Sequence, residues 1–433
     1  MSKKKVLILS YFFPPCNLPA SQRSYGWATQ LHEYGYHPII ITRNWDLEVK
    51  LPMDLHTSSG IEILHRKHAN FEEYILPYKS NLRDRLYVRG KLKIFRKLLS
   101  SIEIFFQKYF SSLLPYSSMY DFAKKYLQKN KDVTIVIATA NPFSMFKFAY
   151  DLKKEFPRIN WIADYRDYWN EQQWVQWYNK IPFIGNWLKE IESKYELKCV
   201  SNAAAVITIS DYYAQNISSF LKKESHSIMN GFNEGDFQNS ANNKLFPEFT
   251  ITYAGTIFPH HNINIFLDGF KKVIDERKSK MKIRVAFLGT LFEETEARRI
   301  QKCMVGYEEN LLITGRMNRV EVIEFQSKSH LLLLIAFADV KGSPGTKIFD
   351  YLGLKKPVML CPSDNDIMES ILVQTNQALV ANTSIDVTEK LNEMIDNYIA
   401  NENFELDINN DARKSYTRQI QTKKLAQILD TFN

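Results

Sequence analysis

Residues 343–357, SPGTKIFDYLGLKKP, place a cation, Lys347, and a carboxylate, Asp350, three positions apart behind a Pro-Gly turn. Ile348, Tyr351 and Leu352 follow the i, i+3, i+4 spacing of a helix that buries one face, which leaves Lys347 and Asp350 together on the other. A helix beginning near Thr346 aims free N–H groups and the positive end of its dipole at the spot Lys347 occupies, so a phosphate is the natural ligand there. Asp350, one turn deeper, can accept hydrogen bonds from a sugar diol. Together the two would read a nucleoside diphosphate and its ribose. The plain alternative is an amphipathic helix after a turn.

Other chemistry-bearing residues fall where apolar runs end. In YAGTIFPHHN, Gly255 and Thr256 follow a strand directly, and a missing Cβ lets backbone approach a phosphate or sugar. Gly315 and Arg316 close another run, and Arg316 reads equally as a solvated surface arginine. Arg23, early in a helix after the first strand, suits bidentate binding of a donor or acceptor phosphate, or else an interdomain salt bridge. In IADYRDYWN, Asp164 and Asp167 flank Arg166, so that one carboxylate orients the arginine and the other faces an acceptor hydroxyl; a structural Asp-Arg pair is the alternative. Asn141 and Ser144 lie in ATANPFS at a further strand end.

The elements that must position these groups come in two series. VLILSYF (6–12), HPIIITR (37–43), TIVIATA (134–140), NWIADYR (160–166) and AAVITIS (204–210) alternate with helical stretches, the first spanning 21–35 and ending at Gly35. FTITYAGT (249–256), IRVAFLGT (283–290), NLLITGR (310–316), HLLLLIAF (330–337) and PVMLCP (357–362) form the second. This rhythm predicts an α/β fold of two doubly wound parallel sheets in series, with ligands outside the carboxyl ends of the strands. The expected domains are 1–232 and 233–409, followed by a terminal helix at 410–433 near the domain joint.

Residues 83–110 fit neither sheet. Leu92, Phe95, Leu98, Ile102, Phe105 and Tyr109 recur about every 3.5 residues, and Arg83, Arg85, Arg89, Lys91, Lys93, Arg96, Lys97 and Lys108 outnumber Asp84 and Glu103. A basic amphipathic helix of this kind either lies on an anionic membrane surface or packs on its own domain.

At 433 residues the chain is too long for one core. Four scattered cysteines without a C-x-x-C argue for a reduced, cytoplasmic protein, and nine histidines without ligand spacing argue against a metal site. The first apolar run stops at two prolines and reads as a strand rather than a signal peptide, and no run approaches a membrane span. A net charge of +8 is compatible with nucleic acid, anionic lipid or a phosphorylated substrate.

SPGTKIFDYLGLKKP resembles the nucleotide-sugar signature P-S-K-I-F-E-Y-L-G-x-G-K-P of family 4-type GT-B glycosyltransferases. YFFPPCNLPASQRSYGWA, YAGTIFPHHN and the linker IMNGFNEGDF (228–237) are similar to further motifs of that family, and IADYRDYWN to the A-D-F-R-D-P-W motif of its bacterial surface-polysaccharide subset. The likeness extends to about residue 365. It implies a GT-B architecture of acceptor and donor domains about a cleft, with Lys347 on the donor diphosphate, Asp350 on the ribose and the backbone near Arg316 on the base. Asp350 replaces the family's glutamate, Gly342 stands where many members carry a second glutamate, and His260 and His261 replace small residues.

The activity so implied is transfer of a sugar from a nucleoside diphosphate sugar to a lipid-linked or polysaccharide acceptor, with retention, without a metal or a cofactor. The partners expected are the donor, a glycan acceptor and an anionic membrane surface, with the protein peripheral at the inner face of the cell membrane. Two rivals stand beside it, a nucleotide-sugar 2-epimerase of the same fold and a non-catalytic basic nucleic-acid binder.

Overall fold

The computed structural model describes residues 3–46, 48–90, 92–106, 114–169, 184–240, 243–277, 281–337, 340–401 and 406–432. The chain divides into two units, Met1–Met229 with Gln421–Asn433, and Asn230–Ile420.

The first unit is built on an eight-stranded sheet: β1 (Lys4–Ser10), β2 (Tyr36–Arg43), β3 (Leu64–Lys67), β4 (Glu72–Leu76), β5 (Ile135–Ala140), β6 (Asn160–Tyr165), β7 (Ala205–Thr208) and β8 (Ser225–Ser227), in the order β3-β4-β2-β1-β5-β6-β7-β8. Every pairing is parallel except β3 with β4. Its described helices are α1 (Pro19–Gln30), α2 (Leu82–Val88), α3 (Lys93–Phe106), α4 (Ser118–Lys129), α5 (Ser144–Glu155), α6 (Ile184–Val200) and α7 (Asp211–Leu221). The central strands are unbroken apolar runs because parallel strands are buried on both faces. Val6, Ile8, Ile40, Ile137, Ile162 and Ile207 form one core with Trp27 and Leu31.

The second unit carries a fully parallel six-stranded sheet: β9 (Phe249–Ala254), β10 (Ile283–Leu288), β11 (Leu311–Ile313), β12 (Leu331–Leu334), β13 (Val358–Leu360) and β14 (Ala378–Val380), in the order β11-β10-β9-β12-β13-β14. Helices α8 (Asn264–Arg277), α9 (Glu294–Cys303), α10 (Arg319–Ser327), α11 (Lys347–Leu354), α12 (Ile367–Gln374) and α13 (Ser384–Asn401) join or follow these strands. Phe249, Ile251, Phe266, Phe270, Val285, Leu331, Leu333 and Leu391 lie in its core.

In sequence order within its own sheet, the second unit runs 3-2-1-4-5-6, the doubly wound order of a dinucleotide-binding fold, and its winding reverses between β9 and β12. The first unit reverses between β1 and β5. Crossovers leave in opposite directions at such a point, so the loops part there and open a crevice at the strand ends.

The two-sheet α/β expectation therefore holds, strand by strand, for all ten apolar runs. The single helix expected at 83–110 does not. Gly90 and Leu92 both take positive φ, 66° and 53°, and the chain breaks into α2 and α3. Lys91 and residues 107–110, with Lys108 and Tyr109, lie outside the described residues. The terminal stretch forms two helices, α14 (Asn410–Lys414) and α15 (Arg418–Asp430), and Leu425, Ala426 and Leu429 of the latter join the first unit's core.

Candidate functional site

Helix α11 follows the loop that leaves β12, at the reversal point of the second sheet. Tyr351 fastens it to the strands, donating its hydroxyl to the Leu333 carbonyl at 3.1 Å and accepting from the Ala254 N–H at 3.4 Å. Ile348, Phe349, Tyr351 and Leu352 are buried beneath the helix. Thr346 precedes its first turn without a side-chain cap.

From that first turn the half-buried Lys347 reaches back over the end of β9. Its Nζ donates to the Tyr253 hydroxyl at 2.8 Å and lies 4.7 Å from that ring's centre, and Tyr253 donates in turn to the Thr256 carbonyl at 2.9 Å. Gly255, at φ 116°, makes this path possible: a Cβ there would stand 2.6 Å from Lys347 Cε. The sequence-predicted Lys347, Gly255 and Thr256 are thus brought together. Among the described residues no carboxylate pairs with Lys347, and burial alone pushes its pKa down to about 8. Neutral dipoles hold this ammonium in place and leave its charge uncompensated, which suits it to an incoming anion.

His261, not singled out for a role by the sequence, packs near this cation. Its Nδ1 accepts from the Phe258 N–H at 3.1 Å, and its ring sits 4.2 Å from that of Phe337, just after β12. Burial first, then the charge of Lys347, lowers its pKa to about 3, so it is a neutral imidazole. The occupied Nδ1 fixes the proton on Nε2.

Asp350 lies on the same helix but is already engaged. Arg319, the first residue of α10, donates Nη1 to Oδ2 and Nη2 to Oδ1, each at 2.8 Å, and Nη2 also reaches Asp236 Oδ2 at 3.1 Å. Sequence reasoning missed Arg319 because its partners lie 31 and 83 positions away. Arg316 lies at the end of β11, its guanidinium 4.7 Å from the centre of the Phe292 ring.

Gly342 has a local reason to be glycine. Its φ is 72°, and its N–H donates to Asp366 Oδ2 at 2.6 Å. The Asp-x-Asp spacing at Asp364 and Asp366, able in principle to bring two carboxylates to one cation, serves the backbone here. Asp364 accepts from the N–H groups of Asp366, Met368 and Glu369, capping α12.

In the first unit Arg23, expected on a phosphate or in an interdomain salt bridge, and Asp164, expected with Asp167 to orient Arg166 or to face an acceptor, are paired with each other inside the same unit. Arg23 Nε and Nη2 meet the Asp164 carboxylate at 3.0 and 2.9 Å, Nη1 donates to the Ile228 carbonyl at 2.7 Å, and the side chains are 4% and 0% exposed. Burying either charge alone is costly, so each is committed to the other. The guanidinium of Arg166 pairs with Asp167 at 3.3 Å. Asp167, 40% exposed, is the open carboxylate of this motif. Arg166 also lies 5.7 Å from the centre of the Phe12 ring, and Phe12 stacks on Trp45 at the carboxyl ends of β1 and β2. Ser144 is bonded to the Tyr116 hydroxyl at 2.7 Å.

No family model matches the sequence, and no curated protein matches it. Solved structures do. The chain is similar to an α,α-trehalose-phosphate synthase (UDP-forming) from Burkholderia vietnamiensis, with a TM-score of 0.63 at 11% identity over 100% of both chains. It is similar to sucrose-phosphate synthase from Thermosynechococcus elongatus, with a TM-score of 0.60 at 11% identity over 99% of each chain. Anabaena HepE in complex with UDP-glucose gives 0.59 at 11% identity, again over 99% of each. At this identity the likeness speaks for architecture, and with the two sheets described above it shows that the chain has the GT-B fold of nucleotide-sugar glycosyltransferases.

Proposed function

We propose that the protein is a family 4-type glycosyltransferase of bacterial surface-polysaccharide synthesis, such as that of capsule or O-antigen. It takes a sugar from a nucleoside diphosphate sugar and gives it to a lipid-linked or polysaccharide acceptor. The observation that carries this reading is Lys347, a half-buried ammonium with no carboxylate partner among the described residues, at the uncapped start of α11 and against Gly255. HepE, similar in fold, has been solved with UDP and with UDP-glucose, which supports a nucleotide-sugar donor.

In the reaction the bond from the sugar's anomeric carbon to the diphosphate breaks, a bond to the acceptor oxygen forms, and the acceptor proton leaves. The group most in need of help is the departing diphosphate. The ammonium of Lys347 and the first N–H groups of α11 neutralise it without a metal or a cofactor, a preorganised role that strengthens as charge develops. Gly255 and Thr256 bring backbone close to the donor, the loop at Arg316 faces the base, and Asp350 accepts from the ribose. Asp167 is the acceptor-side carboxylate. Retention is supported by the resemblance of SPGTKIFDYLGLKKP to family 4-type signatures.

A location at the inner face of the cell membrane is part of the reading, and α3 supports it. Ile94, Phe95, Leu98, Ile102 and Phe106 stay exposed along this helix. Among the described residues no helix is long and apolar enough to cross a membrane.

The test is to incubate the protein with a panel of nucleotide sugars, with and without membrane lipid extract, and follow both sugar and nucleotide. Lipid-dependent release of a nucleoside diphosphate is expected. Release of none, with an epimerised donor instead, would establish the 2-epimerase; tight salt-sensitive binding of nucleic acid and of no nucleotide would establish the basic binder.

A further inference from the structure

We propose that Arg319 is a positioning residue for nucleotide recognition, setting the carboxylate of Asp350 so that it accepts from both hydroxyls of the ribose. The inference rests on the reading of α11 as the donor site and deepens it.

Arg319 is itself firmly placed. It opens α10 behind a complete capping box, in which Asn318 Oδ1 accepts from the Glu321 N–H at 2.9 Å and Glu321 Oε2 accepts from the Asn318 N–H at 3.1 Å. From there the planar guanidinium meets Asp350 in a two-pronged contact, 2.8 Å at each oxygen. An ionised carboxylate has about four acceptor sites, and this contact takes one on each oxygen. One site on each oxygen remains, the arrangement that a vicinal diol can fill with two donated hydrogen bonds. The Asp350 side chain keeps 28% of its surface open for that purpose.

Charge decides what this end of the site can bind. Arg319 serves two carboxylates, Asp350 and Asp236, so the trio carries a net negative charge. Such a trio favours O–H donors and repels phosphate. One turn earlier on α11, Lys347 has the opposite preference. The helix is thus polarised to take the diphosphate at its start and the diol one turn in. An aspartate, one methylene shorter than glutamate, gains fixed aim from an arginine anchored on a different element.

The test is calorimetry with whichever of UDP, GDP, ADP and CDP the intact protein binds tightest, and with the 2′,3′-dideoxy form of that nucleotide. Wild type should prefer the ribose form by about tenfold or more. Arg319→Lys keeps the charge but loses the two-pronged contact, and it should erase most of that preference, as should Arg319→Gln and Asp350→Asn. Arg319→Lys combined with Asp350→Asn should be no worse than Asp350→Asn alone. A preference kept by both Arg319 variants yet lost in Asp350→Asn overturns the role of Arg319 and leaves the donor site standing. A preference kept in Asp350→Asn, or no nucleoside diphosphate bound by wild type, overturns the donor-site reading itself. An arginine that only braced the fold would lower the melting temperature and leave the sugar preference intact.

Discussion

Lys347 and Arg23 show two ways of keeping a cation inside a protein. Arg23 has its carboxylate, and the pair is sealed: 4% and 0% of the two side chains remain exposed. Removing one partner leaves a buried charge unpaired, so Arg23→Ala should cost about 3–5 kcal/mol of stability in urea unfolding. A loss below about 1 kcal/mol would mean that the arginine is not locked in this pair. Among the described residues Lys347 has no such partner, and burial has moved its pKa down to about 8. An anion bound beside it raises that pKa. Binding strength is therefore complete below about pH 8 and declines as pH rises through it, by up to tenfold per unit while the bound form stays protonated. Nucleoside diphosphate affinity measured from pH 7 to 10 should fall in wild type and stay level in Lys347→Met. The i, i+3 placement of Lys347 and Asp350 was legible in the sequence because helical spacing is local. The arginine that aims Asp350 was not, and neither was the pairing of Arg23 with Asp164 across 141 positions. A turn motif can reveal which groups share a helix face, but only the fold reveals which of them are already taken.

At the level of elements, the pair α2 and α3 presents a surface of one kind. Both carboxylates in it are already engaged: Asp84 by Arg83, His56 and Tyr78, and Glu103 by Arg83 and Asn81. Arg85, Arg89 and Lys97 remain on the exposed surface, with Ile94 and Leu98 more than half exposed. Cations beside apolar side chains match an anionic bilayer, and each cation near such a surface is worth about 1 kcal/mol. Wild-type protein should sediment with anionic vesicles at physiological salt, and Arg85, Arg89 and Lys97 replaced together by Gln should not. Failure of wild type to sediment even at low salt would assign the face to another partner. The apolar spacing from Leu92 onward was legible, but the break before it was not, because it lies in the positive φ angles of Gly90 and Leu92. Among the strands, the buried parallel runs were plain, since continuous apolar stretches have few other uses. The strands β3, β4, β8 and β14 escaped notice, being only three to five residues long and none of them buried throughout.

At the scale of the molecule, two sheets of one winding pattern each reverse at a central strand pair. The loops at the two reversals differ in chemistry. Those of the second unit gather Lys347, Gly255, Thr256 and the neutral His261, a set with donors for phosphate and little bulk. Those of the first gather Phe12, Trp45, Arg166 and Asp167, an aromatic and charged set suited to a sugar hydroxyl and its ring. The resemblance places the donor motifs in the second series of strands, and the proposed function keeps that assignment. The net charge of +8 gave little guidance by itself, since phosphate, lipid and nucleic acid all attract it. Position favours phosphate for the second unit, because among the described residues Lys347 has no carboxylate partner and lies at the end of β9.

The central claim is that Lys347 neutralises the diphosphate that leaves during transfer, and it is tested most directly by turnover of the best nucleotide-sugar donor in Lys347→Ala. Loss of one preorganised donor of this kind costs about 100- to 1000-fold in turnover. A decrease of that size, with the circular dichroism and melting temperature of wild type, is the predicted result. Turnover within about threefold of wild type would contradict the account.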